Sequence, residues 1–132
     1  MLRLAVGRSG RRLRQQAGDE LTPSQAAILA TISREKSLTP SRLAELERIS
    51  RPTITRLVAK LRDQGLVDCT PDPDDGRSYR IAISASGSAL RDLRRRRKYT
   101  YLARLLEHAD PEEVELIERS AQILLRLLEE DA

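Results

Sequence analysis

The sequence is poor in most residues that carry chemistry. It holds one cysteine, Cys69, and one histidine, His108. A single cysteine excludes an internal disulfide framework and a cysteine-based zinc site, and a single histidine excludes a two-histidine metal motif. Aromatic residues make up 2%: three tyrosines, with no phenylalanine and no tryptophan. Binding of single strands or RNA by base stacking needs several aromatic faces, so that mode is disfavoured. No apolar run approaches the roughly 18 residues of a membrane span, and Met1 to Val6 is too short for a secretory apolar region. There is no glycine-rich phosphate loop. Asp72, Asp74 and Asp75 cluster without a partner base. Neither an enzyme nor a bound cofactor is indicated.

What is present is charge, unevenly placed. The 132 residues are 33% charged and 39% hydrophobic, which suits one domain, or one domain with a helical appendage, around a thin core. The net charge of +4 conceals a strong polarity. Five arginines against Asp19 and Glu20 make residues 1–20 positive by three, and residues 21–87 are positive by two. Residues 88–104 reach +6 and residues 105–132 fall to −7. Such polarity along a small chain points to an anionic partner for part of it, or to solvated helix faces that differ in sign.

Periodicity divides the chain. Residues 2–17 read as a helix with a weak apolar stripe of Leu2, Val6, Leu13 and Ala17. Thr22-Pro23-Ser24-Gln25 is a helix start, with Thr22 as N-cap, Pro23 in the first turn and Gln25 reaching back. Ala26, Leu29, Ala30 and Ile32 give that helix a core face to about Glu35. Thr39-Pro40-Ser41 starts a short second helix with Leu43, Ala44 and Leu46 inward, and Ser50 starts a third. Ile54, Leu57, Val58 and Leu61 form the inward stripe of the third, and Gly65 ends it. The period then drops to two. Residues 66–70 and 79–83 read as strands around an eight-residue loop, Pro71 to Ser78, long enough to project. Ser84 caps a helix to about Glu107, and Asp110-Pro111-Glu112-Glu113 opens the last one. That last helix is apolar on two sides: Val114, Ile117, Ala121, Leu124 and Leu128, then Leu116, Ile123 and Leu127. It therefore needs more than one neighbour.

Three short helices followed by a projecting hairpin give the order of a winged helix-turn-helix. The third helix, about 51–64, is roughly 21 Å long at 1.5 Å per residue. Its outward face offers Arg51, Thr53, Thr55, Arg56 and Lys60. A major groove about 12 Å wide admits such a helix, where arginine reads guanine and threonine the thymine methyl. In the loop, Asp75-Gly76-Arg77 puts a carboxylate two residues before a guanidinium. An Asp75–Arg77 ion pair would pre-set the arginine for a narrow minor groove. Cys69, mid-strand, reads as a small packed residue, and His108 as a structural or solvated one.

The chain resembles the MarR family of bacterial winged-helix transcription factors over about residues 2–130. The segments that carry the resemblance are Leu21-Thr22-Pro23-Ser24-Gln25, Arg56-Leu57-Val58, Leu61-Arg62-Asp63-Gln64-Gly65-Leu66-Val67, Asp72-Pro73-Asp74-Asp75-Gly76-Arg77 and Ile83-Ser84-Ala85-Ser86-Gly87. The resemblance implies a mostly α fold with a small β-hairpin wing, and a homodimer whose first and last two helices intertwine. Residues 1–20 and 85–132 would then be dimerisation segments, and residues 21–84 the DNA-binding domain. By position, Arg51, Thr53, Thr55 and Arg56 face the major groove, Arg77 enters the minor groove and Asp75 orients it. It also implies a cytoplasmic repressor of palindromic double-stranded DNA. Its effector would be a phenol or other lipophilic anion, bound between winged domain and dimer helices. The hydroperoxide-sensing cysteine of one branch, near the N-terminus, has no counterpart here.

Two features leave room for a different reading. The basic run Arg94-Arg95-Arg96-Arg97-Lys98 points all round its helix, toward DNA phosphates, a partner's acidic last helix, or solvent. Residues 85–130 could also serve a helical assembly protein that binds no specific DNA.

Overall fold

The protein is described by a computed structural model covering residues 1–132. In order, its elements are α1 (Leu2–Ala17), α2 (Pro23–Glu35), α3 (Pro40–Glu47), α4 (Arg51–Asp63), β1 (Val67–Pro71), β2 (Tyr79–Ile83), α5 (Ala85–Leu106) and α6 (Pro111–Asp131). The expected mostly α architecture with one small hairpin is observed.

Local chemistry accounts for the helix starts. The Thr22 hydroxyl accepts the Gln25 N–H at 3.2 Å, and Gln25 Oε1 accepts the Thr22 N–H at 2.9 Å. Asp110 and Glu113 make the same reciprocal pair at 2.9 and 3.1 Å. Such boxes satisfy donors that the first helical turn leaves unpaired. Prolines 23, 40, 52 and 111 occupy first turns, where a missing N–H costs nothing. Ser50 departs from expectation. It precedes α4, but its hydroxyl donates to Thr53 Oγ1 at 2.9 Å rather than accepting a backbone N–H.

Helices α2, α3 and α4 pack with the hairpin around one core of twelve buried residues from Leu21 to Ile81. Ile28, Leu29, Ile32, Leu43, Ile54, Leu61 and Ile81 are fully enclosed, each contributing about 1.5–3 kcal/mol by burial. Ile28 lies outside the face of α2 expected to be inward. Ala26 is half-buried against the core, whereas Ala30, also half-buried, turns toward α5. Strands β1 and β2 are antiparallel, pairing Val67 with Ile83 and Cys69 with Ile81. Leu38, between α2 and α3, adds a one-residue bridge to Ile81, with N–H to O bonds of 3.1 and 2.8 Å. Thr31 on α2 donates to Glu47 on α3, which ties those two helices.

Helix α5 leaves this unit through a tight junction. Ser84 donates its N–H to the Leu66 carbonyl at 3.0 Å and its hydroxyl to the Gly65 carbonyl at 2.6 Å. Gly87 is buried against the Leu66 carbonyl, where a β-carbon would collide.

A second junction holds α1 to α5. The last carbonyls of α1 lack helical partners. Arg97 Nη1 donates to the Ala17 carbonyl at 2.8 Å, and Arg94 Nη1 to the Gly18 carbonyl at 2.9 Å. Cations at a helix C-terminus are also favoured by the helix dipole. Glu20 closes the cluster at 2.8 Å from Arg97 and 3.6 Å from Arg94. Gly18, at φ 108°, leaves no room for a β-carbon beside Arg97 and Glu20. Two members of the basic run are therefore spent inside the chain, a use not among those expected from sequence. By contrast, α6 makes only glancing contact with the other elements and buries no residue of its own.

The hydrogen bond from Arg97 holds the Glu20 carboxyl below its ordinary value. A lowered carboxylate pKa contributes stability above the unfolded value, about 4.3, and that contribution is lost as pH falls through the folded value. Glu20→Gln should therefore destabilise the protein at pH 7, with the difference from wild type vanishing in acid. Thermal unfolding at several pH values checks this, and a pH-independent difference would count against it. Gly18→Ala should cost about 1–3 kcal/mol at neutral pH through forced left-handed backbone.

Candidate nucleic-acid interface

The outward face of α4 is set by its inward one. Ile54, Val58 and Leu61 are buried in the core, so the positions between them point away. Arg51, Thr55, Arg56 and Lys60 are exposed, and Thr53 is half-buried. Three cations lie on this face and no carboxylate. Arg51 Nη1 donates to Ser41 Oγ at 2.8 Å, and Thr55 donates its hydroxyl to the Arg51 carbonyl at 3.0 Å. Arg56 and Lys60 make no side-chain hydrogen bond or ion pair within the chain. Arg62, near the end of α4, lies 4.0 Å from Asp63.

The wing loop is shorter than expected, because β1 extends through Pro71 and leaves seven residues, 72–78. It closes on itself. Asp72 donates its N–H to the Ser78 carbonyl at 3.1 Å, and Ser78 donates its own to the Asp75 carbonyl at 3.0 Å. The buried Asp72 carboxylate accepts the Asp74 N–H at 3.1 Å. Asp75 does not make the expected ion pair with Arg77. Its carboxylate accepts the backbone N–H of Arg77 at 3.0 Å, and the guanidinium stays free in solvent. The reason is distance along the chain. A residue two ahead presents its amide to a turn carboxylate more readily than the end of a long side chain. Asp75 thus fixes the backbone from which Arg77 projects.

Arg80, on β2, anchors the hairpin. Its Nε donates to Ser37 Oγ at 2.8 Å and its Nη2 to the Ser37 carbonyl at 2.9 Å. Sequence pattern alone does not single out Ser41, Ser37 or Arg80. All three act through contacts between segments far apart in sequence, or ten residues apart for Ser41 and Arg51. Burial pushes the Cys69 thiol above its ordinary value, which disfavours the thiolate, and Cys69 packs half-buried against the core.

A helical pair with its second helix exposed and basic, followed by a projecting hairpin with a free arginine, defines a winged helix-turn-helix protein. Comparison with known proteins makes the assignment specific. Residues 19–78 match the family model described as MarR family. An HTH-type transcriptional regulator of Mycobacterium bovis is 36% identical over 130 residues, covering 98% of this chain and 91% of its own. The HTH-type transcriptional repressor NicR of Pseudomonas putida is 31% identical over 93 residues, which are 70% of this chain and 59% of NicR. A transcriptional regulator from Pseudomonas aeruginosa superimposes with a TM-score of 0.88 at 30% identity, over 96% of this chain and 90% of that one. A Staphylococcus aureus MepR variant, solved bound to an oligodeoxyribonucleotide, shares the fold at a TM-score of 0.78 and 20% identity, over 96% and 94% of the two chains. The chain belongs to the MarR family. It is a transcriptional regulator with a winged-helix DNA-binding fold.

The Asp75 contact separates two substitutions that an ion pair would not. Asp75→Asn keeps an acceptor for the Arg77 N–H and removes a negative charge that would repel phosphate where the wing meets DNA, so DNA affinity should hold or rise. Asp75→Ala should weaken DNA binding about fivefold, the worth of about one hydrogen bond. It should leave the melting temperature nearly unchanged. Equal losses for both changes, measured by fluorescence anisotropy at one salt concentration, would restore the ion-pair account.

Proposed function

We propose that the protein is a homodimeric repressor of palindromic duplex DNA, with α4 in the major groove and Arg77 in the minor groove. The observation that carries the dimer is the distribution of exposed apolar surface. Met1 and, on α1, Leu2, Leu4 and Val6 are large, apolar and exposed, as are Leu93, Tyr99 and Leu105 on α5 and six residues of α6. None lies between residues 21 and 84. Residues 1–20 and 85–132 form the dimerisation region, and residues 21–84 the DNA-binding domain. Charge favours the same pairing. Helix α1 carries five arginines and no acid, whereas α6 carries seven acids against Arg119 and Arg126. Two reading helices about 34 Å apart, one helical turn of DNA, need two copies of the chain. On each half-site Arg51, Thr53, Thr55, Arg56 and Lys60 face the groove.

The effector is a small lipophilic or phenolic anion such as a hydroxybenzoate, and its binding releases DNA. Two adjoining hollows beside α2 and α5, about 160 and 480 Å³, the larger also bounded by the end of α1, support this. Leu21 and Ala26 form an apolar wall shared by both, and Arg94 and Lys98 face it from α5. An apolar wall opposite cations suits an aromatic anion.

Sedimentation at micromolar concentration should give twice the 14.9 kDa chain mass. Ile123→Lys with Leu127→Lys should give a folded monomer that loses DNA affinity by about 100-fold or more, as one half-site replaces two. A wild-type monomer that selects duplex DNA would sink the dimer reading, and a dimer with no sequence-selective binding would favour a helical assembly protein. A hydroxybenzoate titrated into the DNA complex should release it for wild type and fail for Lys98→Gln, which leaves the DNA-binding face untouched. Equal release from both proteins would move the effector elsewhere.

A further inference from the structure

The two arginines on the exposed face of α4 are not equivalent. Arg56 is exposed and unengaged. Arg51 is bent back from the first turn of α4 onto the first turn of α3, where Ser41 Oγ accepts from its Nη1 at 2.8 Å. The two residues are brought together only by the angle between the helices. Neighbouring hydroxyls are also committed. Thr53 accepts from Ser50, and Thr55 back-bonds to the Arg51 carbonyl, which steadies the turn that carries Arg51.

We propose that Ser41 is a positioning residue that directs Arg51 to a DNA backbone phosphate, leaving Arg56 as the guanidinium that reads a base. The inference rests on α4 lying in the major groove. In a helix-turn-helix the second helix enters the groove while the first crosses the sugar-phosphate backbone. A guanidinium fastened to the first helix therefore sits on the backbone side. A phosphate oxygen needs one charged donor, and Nη2 and Nε remain for it while Ser41 holds Nη1. Holding the side chain in place before binding also removes part of its ordering cost. Backbone contacts set register and carry no base information, so Arg51 and Ser41 contribute affinity and Arg56 contributes selectivity.

The test uses the full-length protein and a duplex of about 20 base pairs selected by wild type from a randomised pool, spanning two half-sites. Single-base variants of that duplex and an unrelated duplex complete the set. Arg51→Gln should weaken binding by a similar factor on every duplex and lower the slope of log affinity against log salt by about 0.9 for each phosphate no longer neutralised. Ser41→Ala should weaken binding about fivefold, again regardless of sequence. It should add nothing in the Arg51→Gln background, and Ser41→Thr, which keeps the hydroxyl, should restore affinity. Arg56→Gln should instead flatten the preference at one base pair. Circular dichroism verifies that each variant is folded. Loss of base preference at one position in Arg51→Gln would overturn the proposal while leaving α4 in the groove. So would a Ser41→Ala loss that persists without Arg51. If neither arginine change affects any duplex, the groove reading fails as well.

Discussion

Everything in this chain hangs on one small core. Twelve buried side chains between Leu21 and Ile81 are enclosed by three helices and a hairpin, and outside them Ala17 and Gly87 are the residues that α1 and α5 bury. Ile81 is its keystone. It sits on β2, pairs with Cys69 across the hairpin and bridges to Leu38, so one residue ties the wing to the α2–α3 connection. The rest of the chain has apolar side chains without a core to receive them. A small unit cannot bury the faces of three more helices. That imbalance is the physical argument for a second copy.

Helix α5 is fastened at two junctions, one to the winged unit and one to α1. At its start, Gly87 lies against the Leu66 backbone and Ser84 binds the Gly65 and Leu66 carbonyls. Farther along, Arg94 and Arg97 grip the end of α1. Both junctions hold a glycine: Gly87, where a β-carbon would meet the Leu66 backbone, and Gly18, whose φ of 108° strains any other residue. The hollows beside α2 share Arg94 with the second junction. An anion bound there, as proposed, would draw on the same guanidinium that holds the end of α1.

The polar side chains proposed to face DNA divide into those the protein has already engaged and those it leaves free. Asp75 spends its carboxylate on a backbone N–H, and Arg51 spends one nitrogen on Ser41. Arg56, Lys60 and Arg77 remain uncommitted. Engaged groups are pre-oriented and lose little entropy on binding. Free ones can adapt to a base edge or a narrow groove.

Helix starts, the hairpin and the outward face of α4 were legible in the sequence because they rest on local rules. A capping threonine, a first-turn proline and an apolar spacing act within one or two turns, so Thr22, Asp110 and the stripe from Ile54 to Leu61 could be read in place. Tertiary structure decided what depends on residues distant in sequence. It gave Arg94 and Arg97 to the end of α1 rather than to DNA or solvent. It turned Ala30 toward α5 and brought Ile28 into the core. It added the Leu38 bridge, and it paired Arg51 with Ser41. An arginine run looks the same in sequence whatever it binds. Only the packing of one helix against another decides which carbonyl, carboxylate or hydroxyl lies within its reach.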